Sequence, residues 1–238
     1  LTLVLAGAVY LVVHHRIYGS WTVYATGDHF VNSEWIVVGS SPNYGGRTRR
    51  LIGLIVDRRF GIAAWTPAYL AIPFVVTRMI RRKDDHWQLM ITLCAVCWGI
   101  ATWVALTMHG WWWSGRQIVP ILPLVVVLIA AAVDKHRYAF KAVILTSLIG
   151  TFSWLWLVYE TSTGKHTLIV DFERTSNPWY RFWRLLLPDH QIMSAADHVL
   201  TGIWSAVLVF GCWSIWTRWS PRTGSQSAIK SGTSEDAR

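Results

Sequence analysis

Four clusters of residues carry side chains and spacings suited to chemistry. The first is His109-Gly110-Trp111-Trp112-Trp113-Ser114-Gly115-Arg116-Gln117, set between two apolar runs at residues 89–108 and 118–133. Tryptophan favours the boundary between membrane and water, where its ring is in hydrocarbon and its N–H finds a partner. A fixed guanidinium beside such a belt suits an anionic head group, and equally a snorkelling anchor. An unpaired arginine at mid-bilayer depth costs about 2.5–3.5 kcal/mol, so Arg116 needs a carboxylate or a phosphate if it dips inward. The second cluster is Gly27-Asp28-His29. Asp28 beside His29 suits a general base or a divalent-ion ligand, and equally an ordinary Gly-Asp turn. The third is Asp57-Arg58-Arg59-Phe60-Gly61, where two arginines could grip a phosphate bidentately, anchor a helix end, or pair with Asp57. The fourth is Glu160, His166, Asp171 and Glu173, whose spacing is unspecific and reads as a solvated loop.

The elements that must position these clusters are apolar helices. Of 238 residues 53% are hydrophobic and 17 are Trp, with 15% charged, well below the roughly 25% of soluble domains. Mean hydropathy is +0.34. The apolar residues lie in runs of near-spanning length without strand-period alternation, which argues against a barrel. The fold class expected is therefore all-α, a polytopic membrane protein with about six spans and short interfacial helices. The spans fall at residues 1–13, 60–77, 87–108, 117–133, 138–159 and 199–216. Together with polar loops at 14–59 and 160–198 they form one domain over 1–219, and 220–238 reads as a disordered tail rich in Ser, Gly and Thr. Residues 1–13 are too short to span alone and carry no charged n-region or cleavage site, so they do not read as a signal peptide. They read as the end of a truncated span closed by His14, His15 and Arg16, in the C-terminal part of a longer protein. Two interfacial helices are expected, at 47–60 and at 178–187.

Short loops give the sidedness. Arg78, Arg81, Arg82 and Lys83, then Lys135, Arg137 and Lys141, then Arg218 and Arg222 fall on one side of a six-span chain, and the positive-inside rule makes that side cytoplasmic. Both long loops and the Trp-rich turn then face outward, and Arg47, Arg49, Arg50, Arg58 and Arg59 run against the rule. The net charge of +9 suits anionic lipid rather than nucleic acid. Cys94, Cys97 and Cys212 lie inside apolar runs and read as small apolar filler, with no disulfide framework or metal site. A phosphate-binding Gly-rich loop, an HExxH and a Ser nucleophile elbow are all missing. Span interiors nearly free of charge weigh against a transporter.

Arg116-Gln117-Ile118-Val119-Pro120-Ile121-Leu122-Pro123-Leu124, entered from a Trp-rich turn, resembles the C-terminal half of polytopic glycosyltransferases of the GT-C superfamily, relatives of polyprenyl-phosphate-mannose-dependent mannosyltransferases and aminoarabinose transferases. The stretch from Val56-Asp57-Arg58-Arg59-Phe60-Gly61 through Pro67-Ala68-Tyr69-Leu70 is similar to a segment of large, often actinobacterial, membrane proteins of this type. The resemblance covers roughly residues 27–133. It implies a polyprenyl-phosphate-sugar donor, inverting transfer on the extracytoplasmic face of the inner or plasma membrane, and no cofactor beyond a divalent cation. Arg116 would face the donor phosphate together with Arg58 and Arg59, supported by His109, Gln117, Asp57, Asp28 and His29. The family's catalytic base is an acidic residue in the first outward loop near the N-terminus, so it is expected upstream of this chain and Asp28 does not take that role. Two other classes stay open: a non-catalytic membrane scaffold working through its long loops, and a transporter of lipid or polymer.

Overall fold

The computed structural model describes residues 2–18, 44–83, 85–105, 114–133, 137–165 and 172–218. Asp28, His29, His109, the three consecutive tryptophans, His166, Asp171 and the 220–238 tail lie outside them. All regular structure among the described residues is helical. Ten α-helices run in order: α1 Thr2–Tyr18, α2 Tyr44–Arg47, α3 Arg50–Val56, α4 Ile62–Trp65, α5 Ile72–Arg82, α6 Trp87–Gly99, α7 Leu122–Val133, α8 Arg137–Ser162, α9 Pro178–Trp183 and α10 Ala195–Arg218.

Among the described residues four stretches are long and apolar enough to cross a membrane: Trp87–Val104, Arg116–Val133, Arg137–Ser162 and Ala195–Arg218. Their outer faces expose large apolar side chains, including Leu145, Leu148 and Leu155 on α8 and Val207, Val209 and Phe210 on α10. A belt of this kind is far larger than water tolerates on a soluble surface, and it marks a membrane protein. The first expected span differs. α1 continues through His14, His15 and Arg16 to Tyr18, and its 17 residues reach about 25 Å, short of a hydrocarbon core of about 30 Å.

The expected span at 60–77 is broken. α4 lasts 4 residues, Thr66 turns to φ −134°, Pro67–Ala71 forms a 3₁₀ turn, and α5 follows to Arg82. Pro67 has no N–H to return to the carbonyl of Ala63. The indole of Trp183 supplies that donor instead, at 2.9 Å. A broken helix at membrane depth survives where protein surrounds it. Here Ile62, Ala63, Ala64, Trp65, Ala68, Ile72, Val75 and Met79 are all buried. The segment is the spine of the bundle. α5 packs on α6, α7 and α10, and the 3₁₀ turn packs on α8.

Glycine makes two of these approaches close. A Cβ at Gly150 of α8 would lie 2.6 Å from Thr66 Oγ1 and 2.9 Å from Thr66 Cβ, and one at Gly211 of α10 would lie 2.4 Å from the Phe74 ring. Thr66 is pinned by the break, so Gly150→Ala should destabilise by about 1–3 kcal/mol through overpacking. Thermal melting in detergent checks this, and an unchanged midpoint would show that α8 does not seat on the break.

α3 is not the surface helix expected at 47–60. Gly53, Leu54, Ile55 and Val56 are buried, and so are Arg47 and Arg50. The two arginines reach the end of the α6 stretch, which closes as a π-turn over Ile100–Val104. Arg47 donates to the carbonyl of Trp103, and Arg50 to those of Ala105 (2.7 Å) and Thr102 (3.4 Å). Carbonyls at a helix C-terminus lack intrahelical donors and carry the negative end of the helix dipole. These contacts give the two arginines a role inside the protein, independent of the charge rule that the sequence sets them against.

Candidate functional site

The turn Asp57-Arg58-Arg59-Phe60-Gly61 joins α3 to α4 and holds one end of the molecule together. Asp57 is fully buried, and its carboxylate accepts four contacts. Oδ1 takes the N–H groups of Arg59 (2.9 Å) and Phe60 (2.7 Å), closing the turn. Oδ2 takes the N–H of His190 (2.9 Å) and faces His190 Nδ1 at 3.2 Å. The other imidazole nitrogen lies 3.4 Å from the hydroxyl of Thr201. The His190 side chain is as buried as its partner and Thr201 is half-buried, so the Asp57–His190–Thr201 chain has the order of a catalytic relay with its carboxylate and imidazole enclosed in protein. It is a brace, and buried carboxylates require such full satisfaction.

Arg58 and Arg59 are spent on the same docking. Arg58 donates to the carbonyl of Leu187 (3.1 Å) and pairs with Asp197 at 2.9 Å. Its own N–H donates to the carbonyl of Pro188 (2.8 Å) and its carbonyl accepts from the Tyr180 hydroxyl (3.0 Å). Arg59 pairs with Glu173 and Asp189, each at 3.3 Å, and donates to the Gln191 side chain at 3.1 Å. A ligand phosphate would have to compete with carboxylates already in place.

Segment 172–198 is therefore not a solvated loop. α8 extends to Ser162, so Glu160 belongs to the helix, where it is buried and accepts from Thr175 Oγ1 (2.5 Å), the Ser176 N–H (3.0 Å) and the Ser176 hydroxyl. Asn177 then caps α9 by accepting from the Tyr180 N–H at 3.1 Å. Tyr180 turns inward and stacks on Trp65 with ring centres 4.1 Å apart, while Phe60 and Trp65 meet Phe172 edge-on. Burial pushes the Tyr180 phenol well above its usual range, so it stays an O–H donor. A raised value keeps that bond intact through neutral pH and beyond the ordinary phenol value of about 10; only stronger alkali removes it. Tyr180→Phe should cost about 0.5–1.5 kcal/mol, measurable by denaturation at neutral pH, and no loss would mean that the hydroxyl bond is idle. Phe182 of α9, and Leu185 and Leu186 of the 3₁₀ turn Arg184–Leu186 that continues it, are exposed, as an interfacial helix requires.

Asp189, His190 and Asp197 had no part in the sequence-level candidates. One signal did mark Asp197: Ser194-x-x-Asp197 before an apolar run is a capping box. Ser194 Oγ accepts from the Asp197 N–H (3.3 Å), and Asp197 Oδ2 accepts from the Ser194 N–H (2.9 Å). α10 therefore starts at Ala195 rather than 199.

The third cluster meets the first at Ser114, whose hydroxyl donates to the carbonyl of Arg59 at 2.8 Å. Gly115 takes φ +78°, and a Cβ there would lie 2.6 Å from Ile62 Cγ2. Arg116 then opens the 3₁₀ turn Arg116–Ile121 that leads into α7, with Ile118 wholly buried beneath it. Arg116 itself is exposed and Gln117 half-buried. Thus Arg116 stands on a mount fixed to the Asp57–Gly61 turn. Among the described residues no three of His, Cys, Asp and Glu gather closely enough to hold a metal ion. No family model, no curated protein and no solved structure matches this chain.

Proposed function

We propose that this chain is the donor-binding part of an integral membrane glycosyltransferase that uses a polyprenyl-phosphate-linked sugar on the extracytoplasmic face of the inner or plasma membrane. In this reading the chain has about six spans: a truncated one ending in α1, the broken segment 62–82, and the four long apolar stretches. The observation that carries the reading is the mount of Arg116. Ser114 and Gly115 lock against Arg59 and Ile62, and leave an exposed guanidinium at the end of an apolar helix. A leaving polyprenyl phosphate needs positive charge where negative charge develops, held in place beforehand. Its isoprenoid tail needs apolar surface beside that charge, and the exposed Val119 lies one turn along. Arg58 and Arg59, committed to Asp197, Glu173 and Asp189, add positive field rather than a direct grip. Gln117 and His109 lie within reach in sequence as supporting donors, and Asp57 holds the turn.

The step is attack of an acceptor hydroxyl on the sugar's anomeric carbon, with the phosphate leaving and a carboxylate taking the hydroxyl proton. At this end of the described molecule Asp57, Glu160, Glu173, Asp189 and Asp197 each already accept protein donors. The base belongs elsewhere. The same saturation favours a second reading, a non-catalytic scaffold that presents a rigid outward surface. Binding of polyprenyl phosphate by the purified chain in detergent, with the uncharged polyprenol as control, separates the two. Loss of a charge-assisted contact is worth about 1.5–3 kcal/mol, so Arg116→Ala should weaken polyprenyl phosphate binding by about 10–100-fold and leave polyprenol unaffected. Equal binding of the two lipids, or no effect of Arg116→Ala, sinks the donor reading and leaves the scaffold.

A further inference from the structure

At the opposite end of the bundle, where α5, α6 and α7 meet near Lys83 and His86, lies a cleft of 360 Å³. That volume is at the lower end of the roughly 300–1,000 Å³ typical of small-molecule sites. Its charged lining is Arg78, Arg82 and Asp85, and its walls are apolar, among them Val75 and Met79 of α5 and Leu128 of α7. Exposed Val127 and Ala131 also line it, so it opens sideways on the outer face of α7 rather than into the bundle. Arg78 is held in place by donating to the carbonyl of Ala132 at the end of α7. Arg81 lies over the Trp216 ring, 5.1 Å from its centre, which keeps a further cation nearby.

We propose that this cleft binds one membrane phospholipid of the monoanionic, phosphatidylglycerol type. Two guanidiniums against one carboxylate leave one net positive charge in the cleft, matched by one phosphodiester. The hydroxyls of a glycerol head group are donors that Asp85 can accept. An ammonium head group carries no net charge with its phosphate and would leave the excess positive charge of the cleft unneutralised. The apolar walls and lateral opening fit the first carbons of an acyl chain running down α7, which free phosphate does not supply. Basic pockets between membrane helices bind anionic head groups on the same principle.

The test is native mass spectrometry of the purified full chain with phosphatidylglycerol, phosphatidylethanolamine or phosphatidylcholine of matched acyl chains. Two variants accompany the wild type: Arg82→Gln, which removes one charge, and Ala131→Trp, which fills the cleft from an exposed position and keeps every charge. Charge-assisted hydrogen bonds are about twice as strong as neutral ones, so one phosphatidylglycerol should be retained at least about tenfold better than either other lipid. Both variants should bring phosphatidylglycerol down to the level of phosphatidylcholine. Equal retention of the three lipids by the wild type, or unchanged phosphatidylglycerol retention in either variant, overturns the proposal.

Discussion

Asp57→Ala should cost about 3–5 kcal/mol, the toll of removing one partner from a buried ionic contact. The carboxylate is fully buried and serves the N–H groups of Arg59, Phe60 and His190 and the His190 ring at once. Alanine leaves those donors without water or protein to receive them. Against a total stability of about 5–15 kcal/mol this is enough to open the end of the molecule that the Asp57–Gly61 turn holds together. Asp57→Asn should cost less, because one amide oxygen can still accept while the NH₂ group faces donors. The check is thermal melting together with tryptic cleavage after Arg58 and Arg59, which should become fast in Asp57→Ala. Arg116→Ala is the contrast: an exposed position, expected to change stability by about 0.5 kcal/mol at most. Equal stability of Asp57→Ala and wild type would mean that the two loop segments are not docked through this carboxylate.

Gly61→Ala should be nearly as damaging for a different reason. The glycine has an ordinary φ of −68°, so no conformational privilege is involved. A Cβ there would lie 2.4 Å from Asp57 N and 2.6 Å from both Asp57 O and Ile55 O. All three are backbone atoms of the preceding helix and turn, and no rotamer change relieves them. The chain must separate where Gly61 N donates to Asp57 O at 3.0 Å. We expect a loss of about 3 kcal/mol or more, at the upper end of overpacking costs. Gly202→Ala is the control. It lies inside α10 with open space around its Cβ, and should stabilise by about 0.5–1 kcal/mol. If both alanine variants melt alike, the close approach at Gly61 is not real.

The apolar helices were legible because hydropathy over 18 or more residues is a one-dimensional signal, and the stretches Trp87–Val104 and Arg116–Val133 follow it, as do α8 and α10. The broken segment 62–82 was half legible. Pro67 and Pro73 marked the interruption, but only packing shows that Trp183, 120 positions from Ala63, completes the hydrogen bond Pro67 gives up. The Asp57–Gly61 turn stood out by its charges, yet its role did not. Whether Arg58 and Arg59 hold a ligand or the protein depends on Asp189 and Asp197, more than 120 residues later, and no local pattern connects them. Arg47 and Arg50 were read as surface cations because their neighbours alternate like an amphipathic helix, whereas their partners are the carbonyls ending α6. The second loop was misread for the complementary reason: Glu160 and Glu173 have no motif spacing, because their partners are hydroxyls, an N–H and an arginine brought up by folding. The capping box at Ser194 was readable and would have placed the start of α10 correctly.

The proposed function requires the described parts of the two polar segments, 44–61 and 172–198, to form one cap on a single face of the membrane, with segment 62–82 crossing beneath it as a broken helix. Side-specific cysteine labelling tests this most directly. In a chain with Cys94, Cys97 and Cys212 replaced by serine, single cysteines are introduced at exposed Thr48, Ser176 and Lys83. A membrane-impermeant maleimide should label Thr48→Cys and Ser176→Cys from the outside of intact cells, and Lys83→Cys only after permeabilisation. Labelling of Thr48→Cys and Lys83→Cys from the same side would mean that 62–82 does not cross, and neither the cap nor the outward placement of Arg116 would stand.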